Sequence, residues 1–346
     1  MILAERSENN MAENELLKLK QQIKSGETKN LYLFYGEETY VKEIYEHQLT
    51  DIVPEDAFGD FNRIFFNGKD MSLEKIDDAL TSFPMMADKK LIVIKNSGIF
   101  KSASEEVKEF WQKRLSELPD FVLLIFDEQE TDKRSSLFKA ASKYGLAVEF
   151  KYLKDYEVVS WIMREAQNNG KKISKDSSEY LAGMCDAGLQ NVKNELDKLI
   201  NYCGNEIYKS DIDKVVSRPL SMAIFEITDA IMIKNSDRAI SVILRLKENK
   251  ESAFNILYLL SSAFDKMLLA KLMLSDGASY DAVSSRLKLP RFIAGKYIDG
   301  AKRFSVKFLT ERICKTADID LAVKQGEIDE WTALMQYVFE CIKDGQ

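Results

Sequence analysis

Cysteine, histidine and proline are all scarce in this chain: four, one and five of its 346 residues. The cysteines, Cys185, Cys203, Cys314 and Cys341, stand far apart and form no CxxC pair. They read as small buried side chains in a reducing compartment, in preference to metal or redox groups. The single histidine, His47, lies in the polar stretch EIYEHQLT without an identifiable partner, so it reads as a surface residue rather than a catalytic base. A G-x-S-x-G elbow, an H-E-x-x-H pair, zinc spacing and a glycine-rich dinucleotide turn are all missing. No apolar run approaches the ~20 residues that a membrane span needs. The opening MILAERSENNMAENELL has no basic segment leading into an apolar one, so no secretion signal is expected. Residues 1–10 read as a loose, disordered tail, or else as residues ahead of a start at Met11. A net charge of −7 argues against coating nucleic acid by bulk charge, while leaving room for local basic patches. A cytoplasmic protein without cofactor or metal is expected.

In the first 151 residues, short apolar runs alternate with amphipathic stretches. The strands expected are Leu31–Tyr35, Phe61–Phe66, Lys90–Lys95, Phe121–Phe126 and Leu146–Phe150. Several are apolar almost throughout, as in a parallel sheet covered on both faces. Helices are expected near 12–24, 40–50, 73–82, 104–117 and 134–144. This alternation predicts a doubly wound α/β domain.

In such folds a phosphate would sit in the turn after the first strand. That turn is YGEETYVKE, in which only Gly36 fits a phosphate loop; Glu37 and Glu38 bring negative charge, and no glycine precedes Lys42. Asp127 and Glu128 in IFDEQETDK loosely resemble the acid pair of a nucleotide hydrolase, but read more simply as a solvated loop. The expectation is a nucleotide-binding architecture that no longer binds nucleotide.

From Tyr156 onward no strand is expected. Helical periodicity marks a small domain over 152–218, with Leu189, Val192, Leu196, Leu199 and Ile200 on one face. Pro219 supplies a break, and 219–346 reads as a larger all-α domain. Near its end, Trp331, Leu334, Met335, Val338 and Ile342 form a stripe that is either core or a helix–helix seam.

Two stretches stand out. In TSFPMMADKKLIVIKN the connection before the third strand carries Phe83, Met85 and Met86 around Pro84, where a chain turning through water would be polar. These side chains either pack inward beneath the sheet or project as a docking tip. Between Arg286 and Lys315, nine basic residues face only Asp299 and Glu311. Such an excess reads as solvated helix faces, or as a DNA-facing patch that includes Arg291, Lys296, Lys302, Arg303 and Lys307.

An empty phosphate-loop position, a small helical domain and a helical C-terminal domain occur here together. So do LYLFYGEETYVKE, FPMMADKKLIVIKN, DKRSSLFKA with AVEFKYL, NVKNELDKLINY, IFEITDAI, and LKLPRFIAGKYIDGAKRFS through ADIDLAVKQGEID. Spread over about residues 30–340, they resemble the delta subunits of the bacterial DNA polymerase III clamp loader. The Ser-Arg-Cys motif of the sister subunits is missing; SRP at 217–219 lies late and lacks the cysteine. The resemblance implies an AAA+/RecA-like domain over 1–151 with a degenerate phosphate loop, a helical lid over 152–218 and a collar domain over 219–346. It also implies a subunit of the polymerase III holoenzyme with no catalytic site of its own. Such a subunit binds the sliding clamp (the beta subunit) and opens its interface for loading onto primer–template DNA, beside motor (gamma/tau) and delta-prime subunits. Phe83, Met85 and Met86 then form the clamp-binding tip. Family members often carry Leu-Phe where this chain has Met85-Met86, and flexible methionines adapt to irregular apolar pockets. The alternatives are a divergent AAA+ ATPase, a delta-prime-like collar subunit, and a helical adaptor outside replication.

Overall fold

In a computed structural model of the chain, described over residues 2–53, 55, 58–68, 72–217 and 219–344, the backbone forms two compact units, Met1–Lys151 and Tyr152–Gln346. Met1, at the head of the expected tail, and Arg218, at the expected lid boundary, lie outside the described residues.

The first unit runs α1 (Ile2–Ser25), β1 (Leu31–Tyr35), α2 (Thr39–Thr50), α3 (Gly59–Asn62), β2 (Arg63–Asn67), α4 (Leu73–Thr81), β3 (Lys90–Lys95), α5 (Glu105–Ser116), β4 (Val122–Glu128), α6 (Ser136–Tyr144) and β5 (Leu146–Glu149). All five strands are parallel, in the order β2-β3-β4-β1-β5. Alternation along each strand sends side chains to opposite faces. Leu31, Leu33, Ile92, Ile94, Leu124 and Phe126 pack against Ile76, Trp111, Leu115 and Leu137 of α4–α6. Tyr32, Phe34, Leu91, Val93, Leu123 and Ile125 pack beneath Leu19 of α1 and Leu49 of α2. Helices therefore cover both faces, the doubly wound arrangement expected from the strand–helix alternation. Serine side chains start three of these helices: Ser72, Ser104 and Ser135 each accept from the backbone N–H three residues on.

Two elements differ from expectation. Phe61 and Asn62 belong to α3 rather than to the second strand, because the chain after Gly59 closes one helical turn through Phe61 and Asn62 N–H donors to the Phe58 carbonyl. The first helix begins about ten residues before the expected Ala12, at Ile2.

The second unit opens with α7 (Asp155–Asn168), β6 (Lys172–Ile173), α8 (Lys175–Met184), α9 (Leu189–Tyr202), β7 (Glu206–Ile207) and α10 (Lys209–Val215). The two-residue pair β6–β7 corrects the expectation of no strand beyond Tyr156. There follow α11 (Leu220–Met232), α12 (Ser236–Glu248), α13 (Ala253–Ser275), α14 (Tyr280–Leu287), α15 (Arg291–Arg303), α16 (Val306–Lys324) and α17 (Glu330–Asp344). Helix α13, apolar nearly all round, is the axle on which α11, α15, α16 and α17 pack. On α17, Leu334, Val338 and Ile342 belong to this core, which decides for core over seam at those three positions. Cys185 and Cys341 are buried as expected, and burial pushes each thiol up to about 12; Cys314 is exposed, which corrects the expectation for that residue.

Gly36 ends β1 in the left-handed half of backbone space (φ +121°), and a Cβ there would lie 2.2 Å from the Phe150 carbonyl oxygen. Gly36→Ala should lower unfolding stability by about 2–4 kcal/mol in urea titrations. Gly183→Ala, with open space around the added carbon, should be neutral or gain up to about 1 kcal/mol.

Candidate functional site

The connection between α4 and β3 lies at the edge of the sheet where the strands begin. Helix α4 stops at Thr81; Ser82 turns extended (ψ 135°), and Pro84 keeps Phe83 out of helical conformation. The three large side chains project outward: Phe83 is 81% exposed, Met85 45% and Met86 84%. Packing of these methionines beneath the sheet, one of the two expectations, is thereby set aside. Phe83 has an aromatic neighbour, Phe121 just before β4, with ring centroids 5.0 Å apart.

Buried groups hold the tip from behind. The Asn62 side chain donates to the Met85 carbonyl and accepts from the Met85 N–H, both at 2.8 Å. Lys90, buried at the start of β3, donates Nζ to Ser82 Oγ at 2.5 Å, and its ammonium pKa is lowered by burial. Its own N–H donates to the Phe121 carbonyl at 2.7 Å. Met86 adopts a left-handed conformation (φ 52°), unusual for a non-glycine residue. Phe61 on α3 and Phe65 on the edge strand β2 are exposed as well.

A second cluster occupies the opposite edge, where a phosphate would sit in a nucleotide-binding relative of this fold. Lys42 is buried; its Nζ pairs with Asp127 at 2.5 Å and donates to the Glu128 carbonyl at 3.0 Å. Lys95 pairs with Glu46 at 2.5 Å and lies 3.9 Å from Asp127. Glu128 is buried and accepts from the Ser97 N–H, the Ser97 hydroxyl and the Gly98 N–H. Asp127 and Glu128 are therefore not the solvated loop expected: β4 runs two residues further than Phe126 and draws both acids into a charge network. Sequence reading missed this network because Lys42 and Asp127 are 85 residues apart. Burial raises the pKa of Glu46, against the pull of Lys95, and likewise that of Glu128, against its hydrogen bonds from Ser97 and Gly98. His47 is exposed on α2.

The five basic residues singled out in the second unit do not form one open patch. Arg291 lies 3.3 Å from Asp281, Lys302 3.2 Å from Asp299, and Lys307 3.9 Å from Glu311. Lys296 is half-buried over the Phe225 ring and Arg303 reaches Met232 Sδ; both line a cleft of about 340 Å³ with Met222, Asp229 and Phe304. Among the described residues no helix is long and apolar enough to cross a membrane.

Residues 32–151 match the family model described as DNA polymerase III, delta subunit, and residues 221–341 match that of the DNA polymerase III delta subunit, C-terminal domain. A protein of Bacillus subtilis (strain 168) named DNA polymerase III subunit delta is 25% identical over 332 residues, spanning 93% of this chain and 95% of its own. The probable DNA polymerase III subunit delta of Aquifex aeolicus (strain VF5) is 24% identical over 260 residues, 71% of this chain and 72% of its own. The solved structure of the Bacillus subtilis DNA clamp loader delta protein superposes with a TM-score of 0.69 at 23% identity, covering 94% of this chain and 99% of that one, a likeness of fold.

Removing one member of a buried ion pair strands the other. Lys42→Met should destabilise the chain by about 3–5 kcal/mol in urea unfolding. The raised acids give a sign for pH. A carboxyl whose pKa is raised on folding contributes stability that is complete below its ordinary 4.5 and is lost as pH rises through the raised value. The penalty of Glu128→Gln should therefore be largest near pH 4.5 and shrink toward alkaline pH. A penalty that grows with pH would mean that the Ser97 and Gly98 hydrogen bonds outweigh burial.

Proposed function

The chain belongs to the DNA polymerase III delta subunit family, and from that premise we propose that it binds the sliding clamp through Phe83, Met85 and Met86 and springs one interface of the ring for loading onto primer–template DNA. The observation that carries this reading is the outward tip: three large apolar side chains in water on a backbone held by buried polar groups. Contiguous exposed apolar surface of this kind marks interaction sites. Burying each side chain is worth roughly 1.5–3 kcal/mol, so the three supply about 4–9 kcal/mol before ordering costs. A partner that binds the open ring more tightly than the closed one shifts the ring by that difference and hydrolyses nothing.

The Lys42–Asp127 pair supports a subunit without ATPase activity, because an internal ammonium and its counterion occupy the place of a phosphate and its lysine. Within the clamp loader, motor (gamma/tau) subunits would then supply hydrolysis, and delta-prime would complete the assembly in the cytoplasm. Residues 152–218 act as a lid and 219–346 as the collar domain; the apolar core gathered from Ala223 to Ile342 favours that boundary. A DNA-facing role for Arg291, Lys296, Lys302, Arg303 and Lys307 draws on the local basic excess, and the acids beside Arg291, Lys302 and Lys307 weaken it.

Replacing Met85 and Met86 together with alanine should weaken clamp binding about 100-fold while leaving the fold intact, the effect of two lost anchors at about 1.5 kcal/mol each. Unchanged binding and unchanged clamp unloading would remove the site. Clamp binding by the isolated chain separates this reading from a delta-prime-like subunit. Micromolar ATP binding with magnesium would favour the divergent ATPase instead.

A further inference from the structure

Asn62 is one of the most buried polar side chains of the first unit, 1% exposed, and both of its described hydrogen bonds go to a single residue of the tip. A side-chain amide has the same donor and acceptor as a peptide group. At the end of α3 it pairs with Met85 as a neighbouring strand would, satisfying both backbone polar groups of a residue that has no strand beside it. Few other side chains have this shape. Aspartate has no donor, serine and threonine are too short to make both bonds, and leucine makes neither.

Resting on the reading of this connection as the clamp-docking tip, we propose that Asn62 is its positioning residue, holding Met85 and Met86 in their docking conformation before the ring arrives. Three features point the same way. Met86 follows the tethered residue directly and sits at φ 52°, a conformation that a non-glycine side chain keeps only when its neighbours enforce it. On the other side of Pro84, the buried Lys90 fixes Ser82, so the exposed stretch is a short bridge between two anchored points. Met85 itself is only half as exposed as Met86, as expected for the residue turned toward the anchor. Flexible methionines on a free loop would lose rotational freedom on binding; a backbone fixed in advance leaves only the side chains to order.

The test uses the full chain and the sliding clamp ring. Asn62→Ala should weaken clamp binding about ten-fold and speed hydrogen exchange at the Met85 amide in the free chain by a similar factor. In a chain already carrying Met85→Ala and Met86→Ala, it should weaken binding no further, because the side chains it positions are gone. Asn62→Asp keeps the shape and the acceptor but loses the donor to the Met85 carbonyl, and should likewise weaken binding if the alanine variant folds poorly. Full affinity in both Asn62 variants, beside lost binding in the methionine double variant, overturns the positioning role and leaves the docking tip standing. An equal loss in the presence and absence of the methionines overturns it too, since Asn62 would then act on the fold at large. Methionine replacements without effect on the ring overturn both claims.

Discussion

A cluster of large apolar side chains stays in water more readily when the backbone beneath it is held from folding them inward. In this chain that constraint is met at one edge of a parallel sheet, by an asparagine amide and a lysine ammonium that are themselves buried. Asn62 comes from the turn before β2 and Lys90 from the first residue of β3, so the tip inherits the rigidity of two paired strands. The polar groups are inside and the apolar groups outside, the reverse of ordinary burial. That inversion is the physical basis for treating the stretch as a docking element.

Ligands of doubly wound folds usually lie at the edge where the strands end. Here that edge is occupied by the chain's own charges, Lys42 against Asp127 and Lys95 against Glu46. Removing one partner from such a network is costly, because it leaves the other charge buried and unpaired. The working surface proposed is at the other edge, about 20 Å away along the six residues of β3. The chain's own charges thus lie where the strands end, and the docking surface proposed lies where they begin.

What the sequence made legible follows from how local each signal is. Leu31–Tyr35 and Lys90–Lys95 were readable to the residue because one apolar run ends at Gly36 and the other, Leu91–Ile94, is bracketed by Lys90 and Lys95. Phe61 misled, since an aromatic beside a strand looks like its first residue when it lies on a helical turn. The pair β6–β7 has two residues a side and no periodicity to detect. Met85 and Met86 stood out as candidates because large apolar residues beside a proline are unusual in a turn through water, and the structure exposes both. Asn62 was not: nothing in a lone asparagine says that it will clasp a residue 23 positions later. The charges of Lys42, Asp127 and Glu128 were visible one at a time, but their pairing exists only once the sheet has formed.

The most direct test of the docking tip is to label the methionine methyl groups of the full chain and follow their NMR signals as the sliding clamp ring is added. The signals of Met85 and Met86 should shift and broaden at concentrations where the complex forms, while that of Met163, exposed on α7 in the second unit, stays in place. A complex that forms while the Met85 and Met86 signals stay unmoved would contradict the account.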